Sequence, residues 1–382
     1  MNYIGSKYSL LAEIESVLDG HSVPRNGIAL DLFAGTGAVG QLLKLRGYVT
    51  YANDWQCYSY STNVAFLVFN DFPEFTNLLN SQKWGKEIGT ASCDEAILTY
   101  SITGREPLPG DLPCARVLCY LDHLKGTRGT FFEAYCCGGE AERMYFSKEN
   151  GLRIQAIRDL IERWFEEDLV SSAEQAWLVA CLIEAADRVA NTASVYGAYL
   201  KHVKKSARKR MRLVALKPAA SPHPPAQHRV FCEDSLELLE RFSPSEVQLI
   251  YVDTPYNHRQ YAANYHILET IAQWDMNRFQ PRGVTGLRKA EEQRSDFCVK
   301  SAVEVSFRQL FERTKSNYLL LSYNDEGLLE KDTLLSLFEE FCADVSFAQI
   351  KFKRFRADVD RENRVYKRDH THEFLVLGKL RL

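Results

Sequence analysis

Ile28-Ala29-Leu30-Asp31-Leu32-Phe33-Ala34-Gly35-Thr36-Gly37-Ala38-Val39-Gly40 runs from a short apolar segment through a glycine turn into a helical pattern carried by Leu42, Leu43 and Leu45. Strand, glycine turn and helix in that order make the nucleotide-binding βα unit of a parallel sheet. Gly35 and Gly37 let the backbone approach a ligand closely, and N–H groups at the helix start point at it. Asp54 follows the apolar-aromatic segment 48–52, at the tip of the next strand, where a carboxylate can accept both hydroxyls of a ribose. Nicotinamide dinucleotides and S-adenosylmethionine both carry that ribose. Asp31 separates them, because a carboxylate in the turn repels a pyrophosphate and attracts an ammonium or a sulfonium. S-adenosylmethionine is the better fit.

A second motif is Tyr251-Val252-Asp253-Thr254-Pro255-Tyr256. The apolar run Leu249 to Val252 reads as a buried strand, and Pro255 ends it because it has no backbone donor. The strand delivers a carboxylate, nearby carbonyls and a flat ring to one sheet edge. Two acceptors and a stacking face suit a planar amine, such as a base drawn out of a duplex. An Asp-Pro turn after a core strand would look the same by itself. Asn2-Tyr3-Ile4-Gly5-Ser6-Lys7 adds a phenol and an ammonium before the first helix.

Together these motifs, in this order, with Asn53-Asp54 between them, resemble the Dam-type (alpha-order) group of adenine-specific DNA methyltransferases. Phe231-Cys232-Glu233-Asp234-Ser235 matches the segment carrying the family's adenine-binding acid, and Leu320-Leu321-Ser322-Tyr323-Asn324 matches a later strand. Tyr256-Asn257-His258-Arg259-Gln260-Tyr261, with Asn264-Tyr265-His266, is similar to restriction-associated members. The resemblance covers nearly the whole chain. It implies an α/β fold: a Rossmann-like seven-stranded S-adenosylmethionine-dependent core with an inserted, mainly helical target-recognition domain. It further implies methyl transfer to the exocyclic N6 amine of a flipped adenine in double-stranded DNA, with Asp253, Thr254, Pro255 and Tyr256 as the catalytic tetrapeptide. Tyr3, Lys7, Asp31, Phe33, Gly35, Thr36, Gly37, Asp54, Trp55, Asp234 and Ser235 would cradle S-adenosylmethionine, Asp31 and Lys7 at its amino-acid end. Thr254 departs from the family's usual proline. Its carbonyl can still accept a hydrogen from the amine, but the fixed φ of proline is lost.

Composition agrees. A chain of 382 residues with 46% hydrophobic and 25% charged residues is long enough for a large core and two lobes. No apolar run reaches membrane-spanning length and Met1-Asn2-Tyr3 begins no signal peptide, so a cytoplasmic, nucleoid-associated protein is expected. Ten cysteines lack zinc-type spacing, so no metal site is expected and most should be reduced thiols. A formal charge of −3 gives no global attraction to DNA, so binding must come from local patches.

Strand-like runs at 28–33, 48–52, 229–231, 247–253, 317–322, 347–353 and 372–377 alternate with helices, which predicts an α/β sheet. Between 66 and 225 the alternation fails. Ile154, Ile157, Leu160, Ile161 and Trp164 recur at helical spacing, and Ser171 with Glu174 makes a capping box before a second apolar helix. The expected division is a catalytic core of 1–65 and 226–382 interrupted by a recognition domain of 66–225, with the Pro-rich connector 218–225 leading back. The candidate DNA contacts are Arg143, Tyr196, Lys201, Lys204, Lys205, Arg208, Lys209, Arg210, Arg259, Tyr261, Tyr265 and His266. The basic run from Lys201 has no acidic residue before Glu233 and suits phosphates, although a solvated face carries such charge too. Lys351, Lys353, Arg354 and Arg356 form a weaker patch, with Arg364, Lys367 and Arg368 following. Tyr145, Phe146 and Tyr199 suit either base contacts or minor core positions.

Three rival readings stay open at this level. They are the same chemistry on RNA adenine or a cytosine amine, methylation of a protein glutamine, and a non-catalytic DNA-binding protein on a methyltransferase fold. A partner endonuclease is compatible with the resemblance, and a monomer or weak dimer suffices for the reaction.

Overall fold

Side chains of Val247–Val252 are buried at five of six positions, so this strand must be covered on both faces, the situation of a central strand in a parallel sheet. The computed structural model describes residues 5–93, 95–275, 278, 280–288, 293–353 and 370–381. Its strands are β1 (Ile28–Asp31), β2 (Val49–Asn53), β3 (Thr99–Tyr100), β4 (Ala215–Leu216), β5 (Arg229–Phe231), β6 (Val247–Val252), β7 (Tyr318–Asn324), β8 (Cys342–Lys353) and β9 (His370–Leu380). Seven of them form one sheet in the order β5-β2-β1-β6-β7-β9-β8. The pairs from β5 to β7 are parallel and β9 runs antiparallel to both of its neighbours. The expected α/β fold with a seven-stranded Rossmann-like sheet is the fold observed. The last two strands are longer than the expected 347–353 and 372–377, because β8 and β9 pair as a long ribbon.

Period-two alternation sorts the sheet's two faces. Leu30, Ile250, Val252, Leu319, Leu321 and Val376 face one way and share a core with Phe307 and Phe311 of the helix Val303–Arg313 and with Leu334 and Phe338 of the helix Lys331–Phe341. Ala29, Leu249, Tyr251 and Leu320, one residue out of step, are also buried, with the helices Leu11–Gly20 and Ala38–Leu45 as partners in this half of the chain.

The chain divides into two compact units. The sheet unit comprises Ile4–Ser59, Ser221–Ala262 and Ala290–Leu382, and the second unit contains Tyr60–Ala220 and Ala263–Lys289. The segment from Ala263, assigned to the core by sequence, packs with the second unit instead. Its helix His266–Gln273 buries Ile267, Leu268 and Ile271, and the Arg158 Nε of that unit donates to the Ile271 carbonyl at 2.9 Å. Within the second unit the helices Lys148–Glu166 and Ser172–Arg188 dominate, beside the two-residue pair β3–β4. The expected capping box is present: the Glu174 N–H donates to Ser171 Oγ at 3.3 Å and the Ser171 N–H to Glu174 Oε2 at 2.9 Å. Cys93 and Cys119 form a disulfide with Cα atoms 5.3 Å apart, a pairing that the expectation of reduced thiols did not include; the other eight cysteines are thiols outside any disulfide.

Leu30 lies fully buried in the strand at the sheet's centre. Leu30→Ala should therefore destabilise the protein by about 2–5 kcal/mol in urea unfolding, the range for large-to-small changes in a packed core. A loss under about 1 kcal/mol would contradict this packing.

Candidate active site

The order of the sheet decides where the chemistry can sit. From β1 the chain moves outward to β2 and β5, then returns to β6 on the other side of β1, which makes a switch point between β1 and β6. Asp31 ends β1 in register with Tyr251 of β6, and Asp253 follows two residues later. Asn53 ends β2, where its Nδ2 donates to the Leu32 and Glu233 carbonyls and its Oδ1 accepts the Glu233 N–H, each at 3.2 Å. One amide thus ties the loops after β1, β2 and β5 together, a role not read from the sequence.

Asp253 is paired. Lys7 Nζ lies 3.0 Å from its Oδ1, also donates to the Gly5 carbonyl at 3.3 Å, and stands 5.7 Å from the centre of the Tyr256 ring. The expectation put Lys7 at the cofactor's amino-acid end; in the structure it pairs with Asp253. Its side chain is 5% exposed and that of Asp253 17%, so the pair is sheltered with a window to the outside. Burial pushes the Asp253 carboxyl up to about 6 and Lys7 works against that, while the nearby Glu373 charge adds to it. Burial disfavours the Lys7 ammonium, yet Asp253, Glu373 and Tyr256 together hold its pKa above the ordinary lysine value. Gly5 has φ +85°, and a Cβ there would stand 3.2 Å from the Tyr261 hydroxyl, so glycine lets this segment pass close to the tetrapeptide's flank. Thr254 is buried and its hydroxyl has no hydrogen-bond partner. Pro255 and Tyr256 are half-buried beside it.

The wall formed by β1 and β2 carries the other predicted ligands. Asp31 is 1% exposed; its Oδ2 accepts the Gly40 N–H at 2.9 Å and its Oδ1 has no partner. Burial, and then the charge of Asp253, raise its pKa well above the ordinary range. A buried carboxylate oxygen without a donor is costly unless a ligand supplies one. Gly37, at φ +74°, opens the helix Ala38–Leu45. Asp54 accepts the Gly35 N–H at Oδ2 (2.8 Å) and the Gln56 N–H at Oδ1 (2.9 Å), so it shapes the glycine loop. Phe33, Thr36 and Trp55 are half-buried around it, Phe33 edge-on to Phe297. Asp234 caps the helix Ser235–Glu240 through Oδ1, which accepts the Leu236 and Glu237 N–H groups at 2.8 and 3.2 Å. Ser235 is buried behind that cap. Tyr3 lies outside the described residues.

The predicted DNA contacts separate into two groups. Lys201, Lys205, Arg208 and Lys209 of the second unit and Arg259 of the sheet unit are exposed, and Tyr261 is half-buried. Others are committed inside the protein, which corrects the expectation for them. Tyr196, Tyr265 and His266 are fully buried. The Tyr196 hydroxyl donates to Asp187 Oδ1 at 2.9 Å, and both His266 nitrogens face backbone carbonyls at 3.1 Å while burial pushes its pKa down to about 4. Arg143 donates to the carbonyls of Ala134, Gly283 and Val284 at 2.8–3.0 Å. Lys204 Nζ donates to the Thr192 carbonyl at 2.7 Å. Tyr145 and Phe146 are core residues. The basic run also has the acid that local sequence lacked. Buried Asp122 takes Arg153 at Oδ1 (3.2 Å) and both Arg210 and Arg212 at Oδ2 (3.4 and 3.1 Å). Arg354, Arg356, Arg364, Lys367 and Arg368 lie outside the described residues, as does the Lys353 side chain.

A mainly parallel seven-stranded sheet with a glycine loop, acids at successive strand ends and an Asp-Thr-Pro-Tyr turn defines a Rossmann-like methyltransferase, an enzyme that consumes a methyl donor. The chain belongs to the D12 class N6 adenine-specific DNA methyltransferase family, which it matches over residues 3–90 and 115–337. It is 36% identical over 378 residues to the type II methyltransferase M.NlaIII of Neisseria lactamica, covering 98% of both chains. It is 31% identical to the modification methylase StsI of Streptococcus sanguinis over 96% of its own length and 51% of that protein. It is 34% identical to the type II methyltransferase M.FokI of Planomicrobium okeanokoites over 88% of its own length and 46% of the relative. The chain therefore spans about half of these last two proteins and nearly all of the first. Its activity is DNA adenine methylation, as the family defines it.

Arg143 illustrates the corrected reading. Arg143→Ala should lower unfolding free energy by about 1–2 kcal/mol through its lost carbonyl partners, and leave the salt dependence of DNA binding unchanged. A salt slope reduced by about one would instead mark it as a phosphate contact.

Proposed function

We propose that this protein is a restriction–modification methyltransferase that uses S-adenosylmethionine to methylate N6 of an adenine flipped out of double-stranded DNA. The observation that carries the reading is the Lys7–Asp253 pair, sheltered at the end of β6 beside the partnerless oxygen of Asp31. Asp31 would hold the donor's ammonium, Asp54 its ribose hydroxyls and Asp234, through the oxygen left by its cap, the adenine amine, with Phe33 and Trp55 flanking. Bound there, S-adenosylmethionine supplies a methyl group on a cationic sulfur that departs as a neutral thioether.

The chain's own residues act on the base. Tyr256 offers its ring as a stacking face. The Asp253 carboxylate and the Thr254 carbonyl each accept one hydrogen of the exocyclic amine, which draws its nitrogen toward tetrahedral geometry and frees its lone pair. Asp253, with a pKa raised to about 6, is also suited to take the proton the amine gives up. Lys7 keeps that carboxylate ionised and in place until then. Catalysis is thus positioning plus electrostatics. Lys201, Lys205, Arg208, Lys209 and Arg259 would neutralise phosphates, and the second unit would select the sequence. A cognate endonuclease and a cytoplasmic setting follow from the restriction–modification reading.

Incubation with isotope-labelled S-adenosylmethionine and unmethylated genomic DNA, then digestion to nucleosides, should yield labelled 6-methyladenine. Asp253→Ala should cut turnover by at least about 100-fold, the scale of losing one group that stabilises the transition state, with DNA affinity retained. Label appearing only in RNA or in cytosine would sink the substrate assignment. Because Asp253 must be ionised to accept, kcat/KM for DNA at saturating donor should fall about tenfold per pH unit on the acid side. That limb should begin no higher than about pH 6, because the donor's cation can only favour the carboxylate. A rate that rose as pH dropped through this range would rule Asp253 out.

A further inference from the structure

Glu373 lies on β9, far from every motif that defines the site in sequence, and is 5% exposed. Its register partner on β7 is Asn324, the last residue of that strand. Asn324 Nδ2 donates to Glu373 Oε1 at 3.1 Å, and Asn324 Oδ1 accepts the Glu326 N–H at 2.9 Å, so the amide is oriented and the carboxylate clamped from one side. The single hydrogen of the Thr371 hydroxyl goes to Asp325 Oδ1 at 2.5 Å, and His372 Nδ1 is 3.0 Å from Asp325 Oδ2. The other oxygen, Oε2, is buried with no hydrogen-bond partner. Burying a carboxylate and leaving half of it bare is expensive, and nothing in the strand pairing requires it. Its charge reaches the active site. It is felt at Lys7, Asp253, Tyr256 and Tyr251, and in each case it favours the protonated form.

We propose that Glu373 is a positioning residue of the methyl-transfer site: held by Asn324 and outside ion-pair distance of Lys7, its buried carboxylate sets a second negative field at the ammonium, which keeps it charged and offsets its pull so that Asp253 stays free to accept the substrate amine. Without that field, Lys7 would bind the Asp253 carboxylate more tightly and compete with the amine for its oxygens. The proposal rests on the assignment of Asp253 as the amine's acceptor. The charged and titratable groups facing this cluster are Lys7 from the N-terminal turn, Asp31 on β1, Asp54 after β2, Tyr251 and Asp253 on and after β6, Tyr256 in the turn, Glu326 after β7 and Glu373 on β9. Glu373 is the buried carboxylate among them that has no place in the mechanism above.

The test compares Glu373→Gln with Glu373→Asp in the full-length protein, with labelled S-adenosylmethionine at saturation and duplex DNA as substrate. Glu373→Gln keeps the shape and the acceptor for Asn324 and removes only the charge. It should lower plateau kcat by about tenfold and leave KM for DNA within about threefold, because positioning acts on the reacting state. It should also move the acid limb down by about half a pH unit or more, since a like charge near Asp253 is gone. Glu373→Asp, which keeps the charge on a shorter stem, should retain the wild-type limb. A purely structural role predicts the reverse, with the isosteric Gln silent and the shorter Asp impaired. That reverse, or an unmoved limb in Glu373→Gln, overturns the proposal. Should Glu373→Gln fail to fold, Asn324→Ala, which releases the carboxylate, must lower the limb in the same direction, and an unmoved limb there is equally fatal. If the wild-type protein itself transfers no label to adenine, the assignment of Asp253 fails rather than that of Glu373.

Discussion

The buried ammonium of Lys7 is the cation on which the candidate active site is built. Lys7 stands 3.0 Å from Asp253 and within the field of Glu373, while the nearby Asp31 is raised in pKa by burial and by Asp253's charge. Carboxylates outnumber cations there, in surroundings that strengthen every charge interaction. The proposed donor, with its sulfonium and ammonium, would supply positive charge to such a site. Burial, with the charge of Glu373 added to it, explains why Asp253 holds its proton more tightly than an ordinary aspartate, against the pull of Lys7.

The sheet makes this convergence possible. Parallel strands all end on one side, and where the order turns back between β1 and β6 the loops part to leave a crevice. Asp31 and Asp253 enter it from those two strands. Asn53 locks three of the loops by its side-chain amide, so the glycine turn, Asp54 and Glu233 cannot drift apart. Gly5 contributes by what it lacks, allowing the N-terminal segment to run close to Tyr261 and to deliver Lys7. Thr254, in place of a second proline, is compatible with this frame, because a position buried on all sides is restrained by packing even without a ring to restrict φ.

The second unit solves a different problem. A chain with a net charge of −3 must gather its cations where phosphates can meet them. Asp122 does part of this by burying its carboxylate under Arg153, Arg210 and Arg212, which fixes the path of the basic segment. Lys201, Lys205 and Lys209 are left exposed. Breaking one partner of such a buried cluster leaves the remaining charges uncompensated, so Asp122 matters for the shape of this surface even though it repels DNA.

The sheet, the glycine loop, the Asp-Thr-Pro-Tyr turn and the helices of the second unit are legible in the sequence alone. Each is a local pattern, whose meaning depends on residues a few positions apart: strand runs, helical spacing, Ser171 with Glu174. It also placed Asp31, Asp54 and Asp253 at strand tips, since a strand's end can be read along the chain. The pairing of Lys7 with Asp253, the burial of Glu373 against Asn324, and the packing of the chain from Ala263 with the helical unit are visible only in three dimensions. The tertiary structure likewise buried Tyr196, Tyr265 and His266 in the interior, gave Arg143 carbonyl partners and gave the basic run its acid, Asp122. The reason is physical. Burial and ion pairing are settled by groups brought together from distant parts of the chain, and a tyrosine or an arginine has the same local pattern whether its hydroxyl or guanidinium meets a phosphate or a backbone carbonyl in the core.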